Sequence, residues 1–358
     1  MSYNSYIILD EKIAVFDTVD GKFESEWINN LEECLKGKEP EYLVVLHLEP
    51  DHSANIKSIC DKYPNMKIIG NMKTFVFLPQ FCKIENLDAR KVEVKEGESI
   101  SLGKHKLNFV MAPMVHWPEV MMCYEENEKI LFSADAFGKF GARDIEDNWV
   151  DEARRFYINI VAKYGIQVQS ILKKASSLDI KKICSLHGPV LTENLGKYIE
   201  KYDKWSKYEP ENPDGILVLY SSIHGNTKNA TLKFVDILKE KGAEDVKSID
   251  LTRDDMSEAI AQCYKYGKLV LASSSYNASV FPPMENLLRL LKDKNYQKRK
   301  IGLIENGTWA PSAAKTMKSI IEEMKDITII DPIITIRTTL SEDNLKEFEI
   351  LADNILNI

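Results

Sequence analysis

Between residues 216 and 336 the chain alternates short apolar runs with helical stretches, and no other feature of its 358 residues narrows the fold as far. The runs lie at 216–220, 246–251, 269–273, 301–305 and 333–336, and a last helix is expected from about 342 to 356. Short runs of this kind read as buried strands, and parallel neighbours need a crossover of about a dozen residues, usually a helix. The expectation for this half is a doubly wound parallel sheet.

Residues 1–208 read differently. Short strands are expected at 6–9, 13–17, 43–47, 106–111 and 130–133, mixed with helices, and Gly103-Lys104 is placed for a hairpin turn. Between the halves, Glu209-Pro210-Glu211-Asn212-Pro213-Asp214-Gly215 is polar and holds two prolines and a glycine, the composition of a linker. A chain of this length exceeds one compact core. The expected organisation is an α/β domain at 1–208, a linker at 209–215 and a parallel-sheet domain at 216–358.

Charge and cysteine usage remove several function classes. With 47 basic against 55 acidic side chains the net charge is −8, which argues against nucleic-acid binding, since that needs a basic surface to displace counterions. No apolar run reaches about 20 residues, so no membrane span is expected. The opening residues Met1-Ser2-Tyr3-Asn4 lack the basic and apolar parts of a secretion signal. The six cysteines form no C-x-x-C pair. They read as reduced thiols of a cytoplasmic protein, and no rubredoxin-type or iron–sulfur module can be built from them.

The strongest chemical signal is His47-Leu48-Glu49-Pro50-Asp51-His52, directly after the apolar run 42–46. A strand that ends in four ligand-type side chains can aim them all at one point. His116 in Pro113-Met114-Val115-His116-Trp117, Asp135 in Phe132-Ser133-Ala134-Asp135 and His187 in Ser185-Leu186-His187-Gly188 stand at further expected strand ends. Four of the six histidines fall in these segments. Taken singly each reads as a hydrogen-bonded core histidine; taken together they form a ligand set. Four imidazoles and three carboxylates could serve two ions, with Asp135 free to bridge. Zinc hydrolases of the metallo-β-lactamase fold have a similar arrangement, with histidine where this chain has Glu49. A carboxylate there is a hard, anionic ligand that favours iron over zinc, and iron cycles between oxidation states where zinc does not.

The run 216–220 leads straight into Ser221-Ser222-Ile223-His224-Gly225-Asn226-Thr227 and then a helix. Hydroxyls, a glycine and free N–H groups at a helix N-terminus suit a phosphate, and the Gly-Lys-Ser/Thr ending of a Walker loop is absent. Ser273-Ser274-Ser275-Tyr276-Asn277 follows the third run, and Glu305-Asn306-Gly307-Thr308-Trp309 the fourth. In open parallel sheets ligands bind at the carboxyl ends of strands beside the switch point, and FMN in flavodoxin-like folds obeys this rule. Tyr276 and Trp309 are placed to flank a flat ring, with Ser and Asn groups at its polar edge; taken alone, each aromatic reads as ordinary packing. No Gly-x-Gly-x-x-Gly occurs, so a bound nicotinamide dinucleotide is not expected.

On these residues the chain resembles the flavodiiron (A-type flavoprotein) family over nearly its whole length. His47 to His52 is similar to the family's His-x-Glu-x-Asp-His motif. Ala112-Pro113-Met114-Val115-His116-Trp117-Pro118, Leu131-Phe132-Ser133-Ala134-Asp135-Ala136-Phe137-Gly138 and Leu186-His187-Gly188-Pro189 are similar to further family signatures. The resemblance implies an N-terminal metallo-β-lactamase-like αββα domain followed by a flavodoxin-like FMN domain. It implies one iron held by His47, Glu49 and His116, the other by Asp51, His52 and His187, with Asp135 bridging; in some members the histidine equivalent to His52 turns away. It further implies reduction of dioxygen to water or of nitric oxide to nitrous oxide, a rubredoxin-like electron donor, and a head-to-tail homodimer or dimer of dimers. Against the family pattern, the chain starts at what resembles an internal segment, Tyr3-Asn4-Ser5-Tyr6, and no rubredoxin or flavin reductase module follows Ile358. A minimal two-domain member is therefore expected. Ser274 stands where many members have proline.

Two other readings of the same residues are a zinc-dependent hydrolase carrying a flavodoxin-like module, and a non-enzymatic flavin electron carrier with a vestigial metal site. Glu49 speaks against the first and the intact ligand set against the second. With neither a nicotinamide fingerprint nor cysteine pairs, an external electron carrier is expected. Lys292-Asp293-Lys294-Asn295-Tyr296-Gln297-Lys298-Arg299-Lys300 reads either as a docking patch for an acidic carrier or as a solvated surface.

Overall fold

The short strands of the first half bury themselves by stacking two sheets. The computed structural model describes residues 1–142 and 148–358, which divide into two units, Met1–Tyr157 with Tyr164–Asp203, and Ile158–Lys163 with Lys204–Ile358. In the first unit one sheet runs in the order β1 (Tyr6–Ile8), β2 (Ala14–Phe16), β3 (Tyr42–Val44), β4 (Lys67–Gly70), β5 (Lys91–Glu93). It is parallel apart from the β1–β2 pair. The other sheet contains β6 (Ser99–Ser101), β7 (Lys106–Met111), β8 (Met121–Glu125), β9 (Ile130–Phe132) and β10 (Lys182–Cys184), antiparallel apart from β9–β10. Gly103 makes the expected turn between β6 and β7. Phe16 of β2 stacks on Phe132 of β9 with ring centroids 4.1 Å apart, joining the inner faces.

Helices cover the outside of the first sheet. Its core joins Val15, Leu43 and Ile68 to Trp27 and Leu31 of α1 (Glu24–Leu35). After the single turn α2 (Pro50–Ser53), α3 (Ile56–Lys62) adds Ile56 and Ile59, and α4 (Met72–Phe81) adds Leu78. The short α5 (Leu87–Arg90) precedes β5, and α6 (Trp149–Ile160), α7 (Gly165–Ala175) and α8 (Leu195–Ser206) follow β9 in the chain. Tyr157 of α6 meets Tyr202 of α8 edge to face, and Phe137, just past β9, packs on Tyr202. Two stacked sheets with helices outside the first give the metallo-β-lactamase-like α/β arrangement expected of this half.

The second unit is the doubly wound sheet. Strands β11 (Asn212–Ser221), β12 (Val246–Asp250), β13 (Tyr266–Tyr276), β15 (Arg299–Asn306) and β16 (Ile327–Ile336) lie parallel in the order β12-β11-β13-β15-β16, and β14 (Ser279–Val280) folds back on the end of β13. On one face α9 (Asn226–Glu240) and α13 (Glu342–Leu356) bury Phe234, Phe348 and Leu351 against Val218, Val270 and Ile304. The alternate residues Leu217, Leu219, Leu269 and Leu271 are equally buried and point the other way, where α10 (Met256–Lys265), α11 (Pro282–Asp293) and α12 (Ala313–Ile321) pack. The helix after β11 and the helix after β13 thus lie on opposite faces, which opens a crevice between the ends of those strands.

Two expectations are corrected here. Residues 212–215 of the expected linker belong to β11: Asn212 pairs with Tyr266, and the register shifts between Asn212 and Ile216. A shift of that kind accommodates the proline and glycine that read as loop. Within the basic run, Arg299 is not part of a surface. Arg299 is 2% exposed, and its guanidinium donates to the carbonyls of Tyr208, Tyr264, Tyr266, Gln297 and Lys298.

Candidate metal centre and cofactor cavity

The site begins where β3 stops short of the expected end at residue 47. Asp17, just past β2, takes a φ of 48° and buries its carboxylate completely. Its Oδ1 accepts the N–H groups of Leu46 and His47 at 2.8 and 3.1 Å, replacing sheet partners. The chain then turns into α2 at Pro50, so His47, Glu49, Asp51 and His52 project together. His116, Asp135 and His187 arrive from the loops after β7, β9 and β10.

All seven expected ligands converge in two groups. His47, Glu49, His116 and Asp135 form one and Asp51, His52 and His187 the other, with the ligand atoms of each group within 4.8 Å of one another. In the first, His116 Nε2 lies 3.4 Å from His47 Nε2, 3.0 Å from Glu49 Oε2 and 3.1 Å from Asp135 Oδ2. In the second, His52 Nε2 is 3.1 Å from His187 Nε2, and Asp51 Oδ2 is 3.5 Å from His187 Nε2. Asp135 Oδ1 lies 3.1 Å from His52 Nε2 and 3.5 Å from His187 Nε2. One carboxylate therefore turns one oxygen to each group, and His52 turns inward.

These residues fit two cations. Facing imidazole nitrogens repel unless a proton or a cation stands between them. Asp51 Oδ1 is buried with no hydrogen-bond donor among the described residues, a costly state that a cation relieves. Burial alone would raise the Asp135 carboxyl, yet His52 and His116 hold it well below the usual carboxylate range. Burial likewise opposes ionisation of Glu49, and His116 and His47 pull it down to about 2. Metal binding displaces the imidazole protons behind such shifts. The mixture of imidazole with three hard carboxylates suits iron.

Sequence reasoning missed the groups behind the ligands. Glu119 Oε1 lies 2.8 Å from His47 Nδ1 and accepts Leu48 N–H at 3.0 Å. The Ser2 carbonyl lies 2.8 Å from His187 Nδ1. A carboxylate in the apolar surroundings Pro118-Glu119-Val120-Met121 is a signal that could have found Glu119, as could Asp17 at the end of the buried run 13–16; a backbone carbonyl carries none.

At the carboxyl ends of β11, β13 and β15 lies a cavity of about 340 Å³, within the size range of small-ligand sites. It is lined by Ser222, Ile223, His224, Asn226, Thr227, Ser274, Ser275, Tyr276, Asn277, Asn306, Gly307, Thr308 and Trp309, all expected there, and also by Ala278, Ala310, Ser312 and Thr338. Ser221 and Gly225 are not in its lining. The Ser221 hydroxyl turns into the sheet and meets Ser273 Oγ at 2.8 Å, while Gly225, with φ 95°, supplies the turn into α9. Thr227 Oγ1 and Ser274 Oγ, 2.8 Å apart, tie two of the loops together. Trp309 is 90% and Tyr276 43% exposed, two ring faces available to a flat ligand.

Two converging ligand groups on stacked sheets, joined to a flavodoxin-like unit with a cavity at its strand ends, define a metallo-β-lactamase-like protein with a second, ligand-binding α/β unit. The chain belongs to the family described as ODP family beta lactamase, whose model matches residues 1–188. Over 355 residues it is 29% identical to the nitric oxide reductase of Moorella thermoacetica, covering 96% of this chain and 88% of that one. It is similar to a solved variant of the flavo di-iron protein of Thermotoga maritima, at 26% identity and a TM-score of 0.88 over 99% of this chain and 89% of that one. It shares the fold of the rubredoxin oxygen:oxidoreductase of Desulfovibrio gigas, at 22% identity and a TM-score of 0.89 over 99% and 90% of the two chains.

Proposed function

We infer that this chain is a flavodiiron oxidoreductase that binds FMN and two non-haem irons and reduces dioxygen to water or nitric oxide to nitrous oxide. The observation that carries this reading is Asp135, whose two carboxylate oxygens face two separate ligand groups, one of them containing Glu49. When bound, the flavin and the two metals together supply the four electrons that dioxygen needs to become two waters.

The chain's own residues hold, orient and shield. His47, Glu49 and His116 would hold one ion and Asp51, His52 and His187 the other, with Asp135 offering one oxygen to each. The ring of Trp117 stands edge-on to His47 at 5.3 Å, and Tyr3 and Phe156 flank His187 at 5.7 and 5.4 Å. These aromatic walls limit water beside the ligands. In the second unit the N–H groups that open α9 would bind the phosphate, Tyr276 and Trp309 would flank the flavin ring, and Asn277 and Asn306 would serve its polar edge.

Electrons come from an external rubredoxin-like carrier, since the chain lacks a nicotinamide fingerprint. We place the protein in the cytoplasm: no helix among the described residues is long and apolar enough to cross a membrane, and all six cysteines are free thiols. The working form is a head-to-tail homodimer or a dimer of such dimers, in which the FMN of one chain serves the irons of the other. Large apolar side chains exposed on both units, Met72, Val76 and Phe81 on one and Ile223 and Trp309 on the other, support such pairing.

Purified protein should contain two irons and one FMN per chain and should turn over dioxygen or nitric oxide with reduced rubredoxin as donor. Asp135→Ala should lose iron and activity while keeping its FMN, measured by metal analysis and flavin absorbance. Stoichiometric zinc, with no activity after iron reconstitution, would overturn the reading.

A further inference from the structure

The two ligand groups are not supported alike from behind. We propose that Glu119 makes the two metal positions unequal, so that the ion at His47, Glu49 and His116 is bound more tightly than the ion at Asp51, His52 and His187. This rests on the two-metal reading above.

His47 and Glu119 are both completely buried. With His47 Nε2 facing the other ligands, Nδ1 carries the ring proton and donates it to Glu119 Oε1 at 2.8 Å. The same oxygen accepts Leu48 N–H, and the Glu119 carbonyl accepts the side-chain amide of Asn71, the capping residue of α4, at 2.6 Å. Glu119 is thus anchored at its main-chain carbonyl and at one carboxylate oxygen. Its other oxygen, Oε2, is buried and has no hydrogen-bond partner among the described residues. A buried carboxylate half unserved in this way persists against a nearby positive charge. The group it touches is the His47 ring, so that charge reaches it through the imidazole, from whatever Nε2 binds. An imidazole backed by a carboxylate is a more basic, better oriented metal ligand.

Among the described residues, neither imidazole of the second group is hydrogen-bonded to a carboxylate at Nδ1. His187 Nδ1 donates to the neutral carbonyl of Ser2 at 2.8 Å, and His52 Nδ1 is buried without a partner among the described residues. Each group holds one carboxylate of its own, Glu49 or Asp51, and both share Asp135. The buried Asp17 bonds main-chain N–H groups and no ligand ring, so a carboxylate hydrogen-bonded to the back of a ligand ring, Glu119 on His47, distinguishes the two groups. Glu119 is a positioning residue: it acts on the metal only through His47.

The test uses the full chain, loaded with FMN and stripped of metal, titrated anaerobically with ferrous iron while calorimetry follows binding. The wild-type protein should bind two ions in two steps at least about tenfold apart in affinity, the scale of outer-carboxylate effects. In Glu119→Gln, which keeps the shape and removes the charge, the tighter step should weaken by roughly 10–100-fold. The weaker step and the FMN content should not change. A second pair of variants does not depend on how Glu119→Gln folds: the ion left in His187→Ala should bind tightly, and the ion left in His116→Ala weakly. Two equal steps in the wild type, equal weakening of both steps in Glu119→Gln, or the reverse order in the two histidine variants would overturn the proposal while leaving the two-metal reading intact. Wild-type protein that binds fewer than two ions would overturn that reading itself.

Discussion

Arg299 is the residue whose surroundings most change its meaning. In a run of basic residues it reads as part of a docking surface, yet its guanidinium serves five main-chain carbonyls and lies over the Tyr296 ring. Arg suits this task because its planar fork offers five donors and stays charged. On either side, the exposed Lys298 and the half-buried Lys300 donate to the carbonyls of Lys207 and Ile358. Arg299→Met should therefore destabilise the protein by on the order of 3–5 kcal/mol, since several buried carbonyls lose their donor at ~1–3 kcal/mol each. Lys298→Ala and Lys300→Ala should each stay within about 0.5 kcal/mol. Urea unfolding of the three variants checks the contrast. Equal, small losses would mean that the carbonyls find water in place of the guanidinium.

Among the elements, β11 and β13 show how a proline and a glycine can be held inside a packed sheet. Asn212-Pro213-Asp214-Gly215 lies beside the start of β13 because Gly267 has no side chain: a Cβ there would sit 2.2 Å from the Pro213 carbonyl oxygen. The obstacle is backbone, which cannot swing aside. Gly267→Ala should thus cost about 1–3 kcal/mol through overpacking, read as a lower urea midpoint for loss of bound FMN. An unchanged midpoint would show that the pairing of Asn212 with Tyr266 contributes little. The last helix was more predictable. Ser341 and Asn344 form a reciprocal box at α13, the helix whose expected limits agree with those observed.

For the whole molecule the proposed exchange of electrons between chains has a direct check. One variant carries His47→Ala and Asp135→Ala, and the other Asn226→Ala and Trp309→Ala. Each alone should be inactive, the first without iron and the second without FMN. Mixed dimers should recover part of the activity, since the flavin of the first then serves the irons of the second. Verified mixed dimers that stay inactive, with each surviving cofactor bound, would place the transfer within one chain.

What the amino-acid sequence determined by itself was chemistry that fits in a short window. His47, Glu49, Asp51 and His52 stand within six residues, and the three loops that line the cavity each follow a strand, so residue type and local order were enough to expect them. The apolar runs likewise determined a parallel sheet, because strands buried on both faces must be nearly all apolar. Tertiary structure decided whatever depends on distant partners. Glu119 lies 72 residues from His47, and Ser2 lies 185 residues from His187. Neither pairing leaves a local pattern, since a lone carboxylate looks the same at any strand end and a carbonyl the same in every residue. The inward turn of Ser221, the burial of Arg299 and the pairing of Asn212 were settled in the same way, by which neighbours the fold brought up to groups that must either find a hydrogen-bond partner or remain in water.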